Sequence, residues 1–341
     1  MDSIRWQEGS LALLDQTRLP LEEVWNDYTD YRKVADAIRR LVVRGAPAIG
    51  IAASYAVCLA ALEFQALPPQ EFQAGMDGAI RELAASRPTT VNLFWALDRM
   101  RLALSAGGCS TGALPLLTRE AEAIHREDIA MNRKIGRAGA ELIPPGARIF
   151  THGNSGSIAT GGFGAALGVV RTAWAAGRLE SVYCGETRPL LQGSRLTAWE
   201  LLRDGIPTTL VTDSMAADLM ARGQIDMVLL GCDSMARNGD FANKIGTYGL
   251  AVLAAWHGIP FYTVLPSSTI DMSIPSGEHI VIEQRDPEEV THFGGTQTAP
   301  DGVSVYNPAF DLTPHKLLTG IITEKGVIHP PFDERLAELF G

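Results

Sequence analysis

Cysteine is scarce: four in 341 residues, Cys58, Cys109, Cys184 and Cys232, none in a C-x-x-C pair. That spacing excludes a disulfide framework and a zinc knuckle. The seven histidines are dispersed, with no H-x-x-x-H and no His/Asp/Glu cluster, so no metal is expected. Positive charge is in deficit, 29 Lys and Arg against 39 Asp and Glu, for a formal net charge of −10. Non-specific nucleic-acid binding needs a basic footprint and is not expected. A phosphorylated small molecule needs only a few placed cations and stays open. Residues 1–16 carry no charged segment ahead of an apolar run, so no signal peptide is expected. The apolar stretch 46–62 is broken by Pro47 and small residues and ends at Glu63, so no run is expected to span a bilayer. Internal repeats and low-complexity tracts are missing too. The expectation is a soluble cytoplasmic protein with no membrane contact.

What is present is enough apolar residue, 46%, for a sizeable core, and enough length for two domains. Residues 4–7 and 10–14 read as a hairpin around Glu8-Gly9. Residues 21–41 have helical periodicity, with Val24, Tyr28, Tyr31, Val34, Ile38 and Leu41 on one face. Further helices are expected over 46–62, 69–86, 93–105 and 114–142, with a loop at 107–112. Pro144-Pro145-Gly146 stops the last helix and places a boundary near 145, between a mostly helical domain (1–145) and an alternating one (146–341). Strands are expected at 147–152, 181–184, 208–211, 227–231, 260–265, 280–282 and 320–323, with helical runs ending at Gly177, Gly205, Gly223 and Gly258. Such alternation implies an α/β domain with a parallel sheet covered on both faces. Ligands bind such sheets outside the carboxyl ends of the strands.

Chemistry-bearing residues collect at those ends. THGNSGSIATGGFG (151–164) follows a strand and opens a helical stretch. Its glycines allow close backbone approach, and a helix N-terminus favours an anion. The spacing is neither a Walker loop nor a clean G-x-G-x-x-G, and a turn that merely packs a helix on the sheet has the same look. After 181–184 come Glu186, Arg188, Pro189, Gln192 and Gly193, with Gln192 and Gly193 opening a helix. Asp233 follows the apolar run 227–231, where partial desolvation raises a carboxyl pKa and suits acid/base work; a capping Asp occupies the same kind of place. Asn243 and Lys244 are read as opening a helix, where amide, ammonium and dipole together hold a phosphate. Arg44 and Arg87 stand beside Pro-marked helix starts and are candidates for clamping an anion, although isolated arginines are commonly surface charges. The residues alone thus lead to an α/β enzyme or binding protein for a phosphate-like anion.

Six stretches go further: VRGAPAIG (43–50), RPTTVNL (87–93), THGNSGSIATGGFG (151–164), ETRPLLQGSRLTAWEL (186–201), GCDSMARNGDFANKIGTYGLAVLA (231–254) and ITEKGVI (322–328). They closely resemble the methylthioribose-1-phosphate isomerases, relatives of the regulatory subunits of the exchange factor for initiation factor 2. The likeness runs from LLDQTRLP (13–20) to Pro330-Pro331. It implies a helical N-terminal domain with a small sheet, then a Rossmann-like domain, in a homodimer. It implies a cofactor-free aldose–ketose isomerase of methionine salvage, acting on 5-methylthioribose 1-phosphate. Carried over by position, Arg44, Gly45, Ala46, Arg87, Gln192, Asn243 and Lys244 bind the sugar phosphate, and Asp233 is the catalytic acid. Family members carry cysteine in a THCN-type loop where this chain has Gly153, which offers only its backbone. A GADR-type motif reads GCDS here, which makes Cys232 a candidate replacement thiol, and Gly185 stands where a polar residue is common. Action on a related sugar 1-phosphate (5-deoxyribose 1-phosphate or ribose 1,5-bisphosphate), and a disabled or regulatory sugar-phosphate-binding paralogue, are the alternatives.

Overall fold

The computed structural model describes every residue except Met1, Glu8, Thr89, Gly108 and Cys109. The described chain forms two compact units, Met1–Arg133 with Ser155–Gly164, and Lys134–Asn154 with Ala165–Gly341. The chain therefore changes unit at 133/134, 154/155 and 164/165, where the sequence reading draws one boundary near 145.

The first unit opens with an antiparallel sheet of β1 (Ile4–Gln7), β2 (Ser10–Leu14) and β3 (Trp25–Tyr28). The expected hairpin is there as β1 and β2, although its turn residue Glu8 lies outside the described residues. The helix expected over 21–41 is shorter. Trp25–Tyr28 pairs with β2, Leu11 opposite Tyr28 and Leu14 opposite Trp25, and only α1 (Tyr31–Arg39) is helical. Two features end the helix at its N-terminal side. Asp30 caps it, its carboxylate accepting the Arg32 N–H at 2.9 Å. Leu21, moreover, is 90% exposed, so no apolar helix face extends back to it. α2 (Ala46–Phe64) is buried on all sides from Ala48 to Ala61, as a central helix must be when apolar all round. Contrary to expectation, its 19 residues are long and apolar enough to cross a membrane, but most of its surface is covered by the protein. α3 (Pro69–Ala84), α4 (Val91–Gly107) and α5 (Ser110–Ala140) follow. The loop expected at 107–112 falls in part on Gly108 and Cys109, outside the described residues, while Ser110 already belongs to α5. α2 and α4 approach closely at Gly50, where a Cβ would come within 2.8 Å of the Asn92 carbonyl oxygen.

The second unit alternates as the sequence pattern implies. In order come β4 (Ala147–Thr151), α6 (Ala166–Ala175), β5 (Leu179–Gly185), α7 (Ala198–Arg203), β6 (Thr208–Val211), α8 (Ala216–Ala221) and β7 (Met227–Leu230). Then follow β8 (Ser234–Ala236), β9 (Phe241–Lys244), α9 (Thr247–His257), β10 (Phe261–Val264), β11 (Ile270–Asp271), α10 (Glu288–Thr291), β12 (His292–Phe293) and β13 (Thr296–Gln297). β14 (Phe310–Thr313), β15 (Gly320–Thr323), β16 (Gly326–Ile328) and α11 (Phe332–Phe340) complete it. The main sheet has the order β16-β15-β10-β7-β4-β5-β6, parallel throughout except at β16. Its central strands are buried on both faces, as in a sheet covered by helices on each side. No strand forms at 280–282. Val281 there is 79% exposed, and pairing nearby is limited to a single bridge between Gln284 and Pro308.

Strand order fixes where to look for a site. From β4 the chain runs outward through β5 and β6, then returns to the other side of β4 with β7. The switch point therefore lies between the carboxyl ends of β4 and β7. Residues 152–154 follow β4, and Gly231–Asp233 follow β7.

Candidate active site

In the second unit, the chain leaves β4 through His152 and Gly153. His152 is buried; its Nε2–H donates to the Ile245 carbonyl at 2.8 Å, and burial lowers its pKa although Asp213 lies 3.7 Å away. Gly153 is left-handed at φ +69. Its N–H donates to Thr187 Oγ1 at 2.9 Å, and its carbonyl accepts from Thr197 Oγ1 at 2.7 Å. A Cβ there would lie 3.4 Å from Lys244 Cβ, so Gly153 and Lys244 face each other. Asn154 is held by Thr197 and by Glu200, both at 3.0 Å; the wholly buried Glu200 also pairs with Arg171 at 2.7 Å.

After β5, Thr187 is buried at φ +67, and Leu191 also has positive φ. Asp213 takes the Thr187 and Arg188 N–H groups on its two oxygens, at 2.8 and 2.7 Å. Gln192 is buried, with no hydrogen-bond partner for Oε1. It precedes a wide π-type turn, Gly193–Thr197, that runs into α7, so the expected helix start at Gln192-Gly193 is realised as that turn. Gly193 is obligatory: a Cβ would overlap the Gly185 carbonyl oxygen at 1.7 Å.

After β7, Cys232 and Asp233 are half-buried. The Asp233 N–H donates to the Ala242 carbonyl at 3.0 Å, which docks it beside β9 next to Asn243. Burial, and then the Asp233 charge, push the Cys232 thiol well above its ordinary pKa, so it stays protonated and is a poor base. Asn243 and Lys244 do not open a helix: they end β9, opposite Asp311 and Phe310 of β14. Lys244 Nζ donates to the Ala309 carbonyl at 2.9 Å and lies 4.6 Å from the centre of the Phe310 ring. The buried Asn243 amide donates to Thr247 Oγ1 at 2.9 Å. The N-terminus of α9 already holds a carboxylate. Asp311 accepts the Gly246 and Tyr248 N–H groups at 2.7 and 3.1 Å, and burial lifts its pKa to about 6. Those two donors are occupied, and Asn243 and Lys244 end a strand, so the helix-dipole part of the expectation at 243–244 fails while the amide and the ammonium remain.

The first unit carries the other candidates. Gly45, at φ +93, lies against Ala159, whose carbonyl oxygen would be 2.5 Å from a Cβ. Arg44 to Ala46 thus sit beside the 155–164 loop, with Ala46 and Pro47 starting α2. That loop is tied down at Gly161, whose N–H donates to Asp128 at 2.6 Å and whose carbonyl accepts from His125 Nε2 at 2.7 Å. Arg87 is half-buried between α3 and α4, its carbonyl accepting the Thr90 N–H at 3.1 Å. Among the described residues, no three His, Cys, Asp or Glu side chains converge as metal ligands would.

Sequence reasoning did not single out Thr187, Asp213, Asp311 or Asp128. Asp213 follows the carboxyl end of β6, the position the strand-end rule points to, and was legible to that extent.

Comparison with known proteins agrees with this fold. Residues 42–330 match the Initiation factor 2 subunit family. A methylthioribose-1-phosphate isomerase of Pelotomaculum thermopropionicum is 57% identical over 98% of this chain and 93% of its own length. The crystal structure of the 5-methylthioribose 1-phosphate isomerase of Pyrococcus horikoshii OT3 superposes with a TM-score of 0.94 at 45% identity, covering 99% of this chain and 95% of that one. The chain belongs to the methylthioribose-1-phosphate isomerase family. The wider Initiation factor 2 subunit family is represented by a structure described as translation initiation factor eIF-2B, subunit delta, from A. fulgidus. It has a TM-score of 0.89 and 43% identity, with 99% of each chain covered. In this family member the recognisable stretches 151–164, 186–201 and 231–254 begin at or beside the carboxyl ends of β4, β5 and β7.

Proposed function

We propose that this chain isomerises 5-methylthioribose 1-phosphate to 5-methylthioribulose 1-phosphate. The observation that carries the reading is 57% identity to an isomerase of that name across nearly the full chain. Arg44, Gly45, Ala46, Arg87, Gln192, Asn243 and Lys244 contact the sugar phosphate in this proposal, and Asp233 is the acid. The reading places the enzyme in the cytoplasm and in a homodimer, and takes the second unit, Lys134–Asn154 with Ala165–Gly341, as the Rossmann-like domain. An exposed stripe on α9 supports self-association: Tyr248, Val252 and the 83% exposed Trp256 recur every four residues, on one face. Sedimentation as a monomer at micromolar concentration would remove the dimer from the proposal.

The phosphate sits on the anomeric carbon, so the ring cannot open as a free hemiacetal does. Asp233 donates a proton to the ring oxygen, and the bond between C1 and that oxygen breaks, leaving the phosphate on C1. Hydrogen then moves from C2 to C1 while the C2 hydroxyl returns its proton to Asp233, leaving the ketose. Of the two routes for that hydrogen, a hydride shift fits this chain. Gly153 brings no side chain, and the Cys232 thiol is held protonated, so neither supplies the second base a proton-transfer route requires. A dry pocket with fixed donors serves a hydride shift.

Turnover followed by NMR in deuterated water tests both parts. The expected ketose carries no deuterium at C1; deuterium there overturns the hydride shift. Asp233→Asn is expected to lower kcat by about 10²–10⁴-fold, the usual worth of a general acid. A second reading, a sugar-phosphate-binding regulatory protein, draws on the 43% likeness to the A. fulgidus protein. It predicts binding by calorimetry with no turnover of this substrate or of 5-deoxyribose 1-phosphate.

A further inference from the structure

Thr187 stands out by its backbone and by what it joins. It is fully buried at φ +67, a region that β-branched residues rarely enter. Strain of this kind persists only where surrounding contacts over-determine it, and it gathers at functional loops. Here the contacts are explicit. Asp213 receives the Thr187 and Arg188 N–H groups at 2.8 and 2.7 Å. The Thr187 carbonyl receives the Leu191 N–H at 2.7 Å, closing the turn that delivers Gln192. Its hydroxyl receives the Gly153 N–H at 2.9 Å and lies 3.1 Å from the Gly185 carbonyl and 3.4 Å from His152 Nδ1. One side chain therefore ties the loop after β4 to the loop after β5. The Gln192 amide that this turn presents is buried, and its Oε1 lacks a protein partner. An unsatisfied buried oxygen costs free energy unless something fills the role.

We infer that Thr187, clamped by Asp213, is the positioning residue of the isomerase site: it holds the Gly153 backbone and the Gln192 amide in one register for the substrate. The inference rests on the isomerase reading above. The Thr187 hydroxyl acts through hydrogen bonds and touches no reacting atom.

A double-mutant cycle tests it. Thr187→Val keeps the branched shape and removes the hydroxyl; it is expected to lower kcat/KM about ten- to a hundredfold, the usual result of misplacing a substrate-contacting group. Thr187→Ser restores the hydroxyl and is expected to stay within about threefold of wild type. Combined with Gln192→Ala, Thr187→Val should cost at least about fivefold less than the product of the single losses, since both remove one coupled unit. A purely structural role would give losses that multiply and a serine variant as impaired as the valine one; either result overturns the inference.

Hydrogen exchange reads the tether without turnover. The Gly153 amide should exchange at least about tenfold faster in Thr187→Val and no faster in Thr187→Ser. Unchanged exchange at Gly153 overturns the inference even where the wild type is active. A wild type inert toward 5-methylthioribose 1-phosphate with the exchange response intact fails the isomerase reading instead. If Thr187→Val does not fold, Asp213→Asn carries the same cycle with Gln192→Ala, and multiplying losses there overturn the inference equally.

Discussion

The first unit holds Gly161 of its Gly-rich loop with ionisable side chains, whereas the second holds Gly153 with hydroxyls and backbone shape, carboxylates such as Asp213 and Asp311 anchoring the segments around it. At Gly161, the N–H rests on Asp128 and the carbonyl on His125, with Tyr55 hydroxyl 3.2 Å from His125 Nδ1 behind them. Both ionisable groups are driven by burial toward their neutral forms: Asp128 is lifted to about 6 and His125 is lowered. In the second unit the corresponding ties are Thr187 and Thr197 on Gly153, a positive φ at Thr187 and Leu191, and a glycine at 193 that allows no side chain. The first arrangement responds to pH. The second, at Gly153 and Gly193, responds to volume and to backbone freedom, although Asp311, lifted by burial to about 6, gives that unit a pH-sensitive tie elsewhere. Substitutions can separate the two.

The largest effect is expected at Gly193. A methyl group there would overlap the Gly185 carbonyl oxygen at 1.7 Å, and the obstacle is backbone on both sides, so neither partner has a rotamer to yield. Gly193→Ala should cost more than about 4 kcal/mol in urea unfolding, at the exceptional end for one substitution. A cost below about 1 kcal/mol would show that the 185–193 turn is softer than its geometry implies.

Next comes Glu200, wholly buried, with one oxygen on Arg171 and the other on Asn154. Glu200→Gln keeps the shape but removes the charge facing Arg171, which retains Asp204 at 2.7 Å. Breaking a buried pair usually costs about 3–5 kcal/mol; the surviving Asp204 contact should hold the loss to about 3. Denaturant midpoints read it directly, and an unchanged midpoint would mean that Asp204 alone neutralises Arg171.

The comparison sharpens at Asp128. Its folded pKa of about 6 lies above the ordinary 3.8, because desolvation outweighs the hydrogen bonds from Gly161 and Asn132. A raised acid pKa favours the protonated form in the folded state. Its stabilising contribution is complete below pH 3.8 and is lost as pH rises through 6. Asp128→Asn is neutral throughout and still accepts the Gly161 N–H. The stability of the variant relative to wild type should therefore rise by about 2 kcal/mol between pH 4.5 and 7.5. His125 titrates in both proteins and largely cancels from the difference. A pH-independent difference would mean the two donors stabilise the anion as strongly as burial opposes it.

What was legible in the sequence follows the same division. The alternation of strands with helical runs ending in glycine located the parallel strands at 208–211 and 320–323 to the residue; burial on both faces leaves a continuous apolar signature at 320–323, whereas β6 is a partly exposed edge strand. Helical spacing located α2 to α5 within a few residues. The misses occur where a long-range partner decides. Trp25–Tyr28 shares its apolar spacing with a helix, but pairing with Leu11–Leu14 is invisible along the chain. Asn243 and Lys244 read as a helix start until β14, about seventy residues later, pairs with them and Asp311 takes the helix end. Gly153, Gln192 and Asp233 were legible as strand-end residues. Thr187 and Asp128, which set the loops in place, had no local pattern, and Asp213 only its place after a strand end, since a threonine or aspartate looks the same with or without a distant donor.

The smallest effect is expected where shape and space disagree. Gly153 has a positive φ like Gly193's neighbours in the turn, yet a Cβ at Gly153 would meet only the Lys244 side chain, Cβ at 3.4 Å and Cγ at 3.7 Å, both ordinary contacts. Space permits a side chain there, so the penalty is the left-handed conformation alone, about 1–2 kcal/mol. Gly153→Ala should therefore unfold about 1 kcal/mol more easily than wild type, several kcal/mol short of the Gly193→Ala loss. Its Gly153 N–H bond to Thr187 should survive, because the amide geometry does not depend on the Cβ. Equal losses at 153 and 193 would mean that φ, rather than the carbonyl at 1.7 Å, sets the cost at both positions. A loss near zero would mean that the Thr187 and Thr197 hydrogen bonds to Gly153 carry the left-handed strain by themselves.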